Sequence, residues 1–273
     1  MGHLNVRFHV AHAMEALVSL AASLGMPRAY VPDATATLMI REHHIRFLRE
    51  ARPDDSLIIT GGVIAMGETD SRLLQVTSHS DGSPSAVFQT EVVHVTPRDA
   101  QPFPWPDRVR AAGESLKLDV GQQIAPRSLT PGAPMAEASM ARADAAGLPP
   151  IAAGAIMPAD CDAFGRMRAE LFIGRVSDGY SAYANNLRKA IQEVGVDPGR
   201  LGTAAVEFRL RYLQWPTAGD RVVLRAGVVE VGERTNTLVH WLLDPETGQP
   251  WAQAEQVVLV QQEYLADLGA EDN

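Results

Sequence analysis

The chain has 273 residues, 46% hydrophobic and 21% charged, a composition that excludes a disordered or collagen-like polymer and implies a packed core. A formal net charge of −9 disfavours phosphate backbones, so no nucleic-acid partner is expected, and no apolar run is long enough for a membrane span. The single cysteine, Cys161, forbids an internal disulfide and points to a reducing, cytoplasmic setting. The first predicted element is a helix, in which Val10, Met14, Leu17, Ala21 and Leu24 share a face and Gly25 and Pro27 form the stop. His12 and Glu15 inside this run argue against a secretory signal. Strands follow over 43–48, 56–66, 72–77 and 85–95, punctuated by Asp54-Asp55, Gly67-Glu68 and Asp81-Gly82. Residues 98–150 concentrate proline and read as a linker with short helices over 107–118 and 135–146. A second helix carries Phe172, Val176, Tyr180, Tyr183, Leu187, Ile191 and Val194 in one stripe, ended by Gly195 and Pro198. Strands over 207–213, 221–231, 237–243 and 251–260 close the chain.

The chain repeats itself. Residues 42–74 laid on 207–239, an offset of 165, match at nine of 33 positions, including Glu42/Glu207, Arg46/Arg211, Gly62/Gly227 and Gly67/Gly232. The mismatches between them are mild, as in Phe47/Tyr212 and Ile58/Val223. Each half is therefore a helix followed by an antiparallel meander, an α+β arrangement. The expected organisation is an N-terminal unit over 1–97, the linker over 98–150 and a C-terminal unit over 151–273.

Duplication of a long central helix on a sheet of about five antiparallel strands suggests a tandem, or double, hotdog. The stretch Ile156-Met157-Pro158-Ala159-Asp160-Cys161-Asp162-Ala163-Phe164-Gly165-Arg166-Met167 sharpens this, because it resembles the strand-loop-helix start of hotdog thioesterases of the 4-hydroxybenzoyl-CoA type. Gly2-His3-Leu4-Asn5 resembles the Gly-His-Met-Asn of bacterial relatives, as the first copy of the same motif. Nothing before Gly2 corresponds to 156–164. Either the first unit lacks that strand and acid, leaving one intact site, or the start lies upstream of Met1, which the bare sheet edge left by a missing strand favours slightly.

The resemblance implies hydrolysis of an acyl-CoA or acyl-carrier-protein thioester, a small-molecule substrate that brings its own coenzyme A, with no cofactor and no metal. A carboxylate would act as nucleophile or as base for water, while helix N-terminal amides hold the oxyanion. Asp162 matches the position of the acid, with Asp160 as the weaker choice; amides near Gly165 and Arg166 would form the oxyanion site. His3, Asn5, Arg168 and Asp178 are the expected substrate-binding positions. Arg166 stands where His is common and Arg168 where Asn is common, departures that favour a non-catalytic acyl-thioester-binding hotdog as the alternative. An enoyl-thioester hydratase ranks last, for want of a His near Asp160. A homodimer of double hotdogs is the assembly considered.

Plainer readings stand beside these. Asp162 is also a residue type that caps or turns before a helix. Asp178 would pair on the surface with Arg175 at i, i+3. Cys161 reads as a small packed hydrophobe, and His43 and His44 as one inward and one outward strand residue. Arg46 and Arg211 would pair with Glu42 and Glu207, or meet a phosphate.

Overall fold

The computed structural model describes residues 4–52, 54–193, 195 and 203–260. Helix α1 (Val6–Ser23) precedes strands β1 (Thr37–Phe47), β2 (Leu57–Met66), β3 (Asp70–His79) and β4 (Pro84–Val95). Helices α2 (Asp107–Ser115) and α3 (Met140–Ala145) lie in the proline-rich segment, which leads into β5 (Pro150–Ala155) and a 3-10 turn at Pro158–Asp160. Helix α4 (Ala169–Glu193) and strands β6 (Thr203–Tyr212), β7 (Arg221–Val231), β8 (Thr235–Leu243) and β9 (Pro250–Val260) complete the second half. Leu187, Ile191 and Val194 of the predicted second stripe lie outside the residues whose side chains are described.

All nine strands form one sheet, in the order β2-β3-β4-β1-β6-β9-β8-β7-β5. The repeat extends beyond the matching letters. Register irregularities at Ile40/Glu42, Val63/Ala65 and Thr77/Ser78 recur 165 residues later at Ala205/Glu207, Val228/Glu230 and Leu242/Leu243. The halves join where β1 runs antiparallel to β6, with Glu42 opposite Arg211 and Arg46 opposite Glu207. At the centre of this pairing His44 faces Arg209, its own repeat equivalent, so a pseudo-two-fold axis passes between them.

Both long helices pack on one face of the sheet and against each other. Val10, Ala13, Leu17, Leu20 and Ala21 of α1 and its C-cap Leu24 are buried there, as are Leu171, Phe172, Ile173, Val176 and Tyr183 of α4. Tyr180, predicted on the same stripe, is 38% exposed, because the buried face of α4 turns through Gly179, which lies close against Ile151 and Leu224. Among the described residues no helix is long and apolar enough to cross a membrane.

The opposite face carries the proline-rich segment. It does more than span one unit. Glu207 accepts the amides of Arg127 (2.9 Å) and Ser128 (2.7 Å), and Glu42 accepts the amide of Gly132 (2.7 Å). Arg46 donates to the carbonyls of Gln123 and Ala125, and Arg209 to that of Thr130. Arg46, Glu42 and Glu207 thus pair with linker backbone rather than with one another, giving its amides and carbonyls partners.

Among the described residues the first half has four strands, one fewer than the second. Where β5 covers β7, the outer edge of β2 receives the linker: Val63 donates to Leu116 O (2.9 Å) and Leu118 donates to Val63 O (2.8 Å). The expected bare edge is therefore blunted by the chain itself.

Candidate active site

A cleft of about 330 Å3 lies between the two halves. Met14, Glu15 and Val18 of α1 and residues 38–40 of β1 form one wall; the loop over 162–168, the first turn of α4 and Trp215 form the other. Its largely apolar lining suits an acyl group, and Asp162, Arg166 and Arg168 of the loop bring charge to one wall.

The loop is built by Asp162. Its Oδ1 accepts the amides of Phe164 (2.8 Å) and Arg166 (3.0 Å), its own amide donates to Arg166 O (2.7 Å), and Gly165 N donates to Asp162 O (3.1 Å). Gly165 takes the left-handed φ of 80° that closes this turn, a conformation glycine adopts without cost from a Cβ. Asp162 Oδ2 is left with the Arg166 guanidinium, Nε at 3.7 Å. Burial lowers the Arg166 pKa, offset by Asp162 and Tyr30; its charge lies 5.0 Å from the Phe164 ring centroid.

The amides of Gly165 and Arg166, expected to face an oxyanion, are therefore already bonded to Asp162. Open donors stand a few residues on. Ala169 and Glu170, the first two residues of α4, both line the cleft, and their amides have no hydrogen-bond partner among the described residues, as helix geometry leaves them. The equivalent helix start in the first half is closed, because Asn5 caps α1 by accepting the Arg7 amide (2.9 Å). Arg168 occupies the place of Asn5, 163 residues on. A guanidinium only donates, so it cannot cap, and it reaches Glu170 Oε1 at 3.3 Å instead.

The other expected residues are dispersed. Asp160 accepts the Met157 amide (3.0 Å), sits 3.7 Å from Arg175 and holds the 3-10 turn outside the cleft lining. Asp178 is exposed and also outside it; Arg175 turns away to Asp160 and to the Ala155 carbonyl, so no Arg175–Asp178 surface pair forms. Asn5 caps α1 and accepts a hydrogen bond from Ser177 Oγ (3.3 Å) of α4. His3 lies outside the described residues. Cys161 packs against the core, and burial followed by Asp162 and Asp160 pushes its thiol pKa up, away from nucleophilic form.

Glu15 and Glu170 bring two further carboxylates to the cleft. Glu170, 8% exposed, was not among the sequence candidates. Its signal was available, as an acid in the first turn of a helix, but the predicted stripe begins at Phe172 and so hid where the helix starts.

The sequence profile described as the thioesterase-like superfamily matches residues 1–113 and 156–263, one segment in each half. The chain belongs to the thioesterase-like superfamily. Solved structures agree at the level of fold. A Lactobacillus plantarum protein described as an oleoyl thioesterase has a TM-score of 0.71 at 14% identity, covering 96% of this chain and 91% of that one. The 12:0-ACP thioesterase from Umbellularia californica gives 0.66 at 16% identity, with 95% and 88% covered. An acyl-ACP thioesterase from Bacteroides thetaiotaomicron gives 0.64 at 12% identity, with 94% and 90% covered. No curated protein sequence matches significantly. Within the superfamily this chain is a tandem hotdog, with both halves on one chain and one described cleft between them.

Proposed function

We propose that the protein hydrolyses an acyl thioester, of coenzyme A or of an acyl carrier protein, in the cleft between α1 and the 162–170 segment. The observation that carries this reading is the meeting, on one apolar cleft, of the Asp162 carboxylate with the uncapped amides of Ala169 and Glu170. The acyl chain lies along the apolar wall. Asp162 Oδ2 takes a proton from water as it attacks the thioester carbon, the developing oxyanion is held by the helix-start amides, and the thiolate leaves. No step calls for a metal or cofactor. Names of structures sharing the fold, acyl-ACP thioesterases among them, support the substrate class.

The test is thiol release from a panel of acyl-CoAs. Asp162→Asn keeps the acceptor for the two amides but removes the base, so kcat should fall about 10²- to 10⁴-fold with the fold intact. Full turnover in that variant removes Asp162 from the chemistry. Glu170→Gln, run beside it, decides whether the neighbouring carboxylate is the base instead. A second reading, acyl-thioester binding without turnover, is favoured by the engagement of Asp162 with two amides and Arg166. A melting temperature raised by acyl-CoA, with no thiol released, would select it.

A further inference from the structure

Beneath the start of α4 lies a buried polar pair. Tyr212 Oη donates to the Ala169 carbonyl (3.4 Å), and His43 Nδ1 lies 2.8 Å from the same hydroxyl. Both residues are buried among aromatic rings: Tyr212 meets Phe172 edge-on, and His43 meets Phe88 likewise. The Ala169 carbonyl belongs to the same peptide unit as the Glu170 amide, one of the two open donors at the cleft. The hydroxyl has one proton. Given to Ala169, it leaves the tyrosine oxygen as acceptor, so His43 must carry its proton on Nδ1.

The pseudo-two-fold supplies an internal control. It carries the pair His43 and Tyr212 onto Phe208 and Phe47, two rings with no polar atom. Phe47 meets His9 edge-on at 5.4 Å, as Tyr212 meets Phe172 at 4.9 Å, so the packing is alike and the hydroxyl is the difference. The polar pair stands only under the helix whose first amides are open. Under the other helix, Asn5 has already taken the equivalent amide, and the equivalent rings are apolar.

We infer that His43 and Tyr212 are positioning residues for the oxyanion site, forming a hydrogen-bond chain from His43 Nδ1–H through Tyr212 Oη–H to the Ala169–Glu170 peptide. This rests on the thioesterase reading above and deepens it. Donation into the carbonyl fixes the tilt of the peptide plane and polarises it, so the Glu170 N–H is a stronger donor to negative charge. The effect grows as charge develops on the substrate oxygen, and so acts on the transition state more than on substrate binding. Burial, then the Glu170 carboxylate, push the Tyr212 pKa up, and burial holds His43 neutral, so neither end of the chain titrates near neutrality.

Two measurements test this. In the wild-type protein, 15N NMR of the His43 ring should show the Nδ1–H tautomer across neutral pH. An Nε2–H tautomer overturns the proposal, since Nδ1 would then take the tyrosine proton and leave Ala169 without it. In steady-state kinetics, Tyr212→Phe should lower kcat about tenfold at nearly constant KM, less than the loss of a whole oxyanion donor. Phe47 fills the symmetry-equivalent place in the other half, so phenylalanine should pack at 212, and a thermal melt close to wild type checks this. Unchanged kcat, or a rise in KM alone, overturns the positioning role. Absence of thiol release in the wild type would instead sink the thioesterase reading, and the tautomer would still decide whether the chain exists.

Discussion

At the scale of single residues, the two helix starts differ by one capping side chain, and that difference separates stability from chemistry. Asn5 satisfies the Arg7 amide at α1, whereas Arg168 leaves the Glu170 amide open at α4. Replacing Arg168 by Asn should place an acceptor where Asn5 stands in the other half. The expected result is a gain of about 0.5–2 kcal/mol in stability, the usual worth of such a cap, together with a fall in kcat as the amide is taken. Asn5→Ala should do the reverse, costing about 1 kcal/mol with turnover unchanged. Urea unfolding and thiol release on the same preparations check both; a cap that stabilises α4 without loss of turnover would show that the Glu170 amide does not serve the oxyanion.

At the scale of elements, the linker replaces a strand. Among the described residues no strand covers the outer edge of β2, and Leu116–Leu118 pairs there by coming close enough that a Cβ on Gly62 would stand 2.4 Å from Leu116 O and 2.5 Å from Leu118 Cδ1. Gly62→Ala should therefore push the linker off the edge, costing about 1–3 kcal/mol as overpacking does, and expose residues 116–134 to limited proteolysis. Equal cleavage rates in variant and wild type would show that the contact relaxes without release. Eight of the nine strands and the helices were legible in the sequence because alternation, helical spacing and turn residues such as Asp81-Gly82 are local signals; β5 was not, because Pro150–Ala155 is short, rich in small residues and follows directly on the proline-rich segment. The coverage of the β2 edge was not, since it depends on carbonyls and amides of Leu116 and Leu118 that no side-chain pattern encodes. Gly62, seen in the sequence only as a position shared by the two repeats, carried the one hint of that close approach. The site was legible in part: Asp162 marks the loop, but the open amides lie at Ala169 and Glu170, ahead of Phe172, where the apolar stripe announced the helix.

At the scale of the whole molecule, two hydrophobic halves are joined through a polar centre. His44 Nε2 lies 2.7 Å from Glu207 Oε1, both 2% exposed, directly under the linker. Burial alone would raise the Glu207 pKa; the His44 hydrogen bond and the amides of Arg127 and Ser128 outweigh it and hold the carboxyl below its ordinary value. Its contribution is therefore present above the unfolded pKa of about 4.3 and is lost as pH falls through the lower folded value. Three other buried groups act earlier. Burial pushes His43 down to about 3 and His9 and His240 to about 4, so the folded chain keeps them neutral while the unfolded chain protonates them below about pH 6.5. A depressed histidine pKa means the unfolded state binds more protons, so stability should fall as pH drops from 6.5 towards 4, by about 1.4 kcal/mol per pH unit for each such histidine at most. Above pH 7 these groups should contribute no slope. Urea unfolding at pH 7.5, 6 and 5 measures this, and His240→Gln, which keeps a donor for the Gln256 oxygen at 2.7 Å, should remove one proton's worth of the slope. A slope unchanged by that substitution would mean that His240 is protonated in the folded protein, and that its stacking on Phe208 tolerates charge.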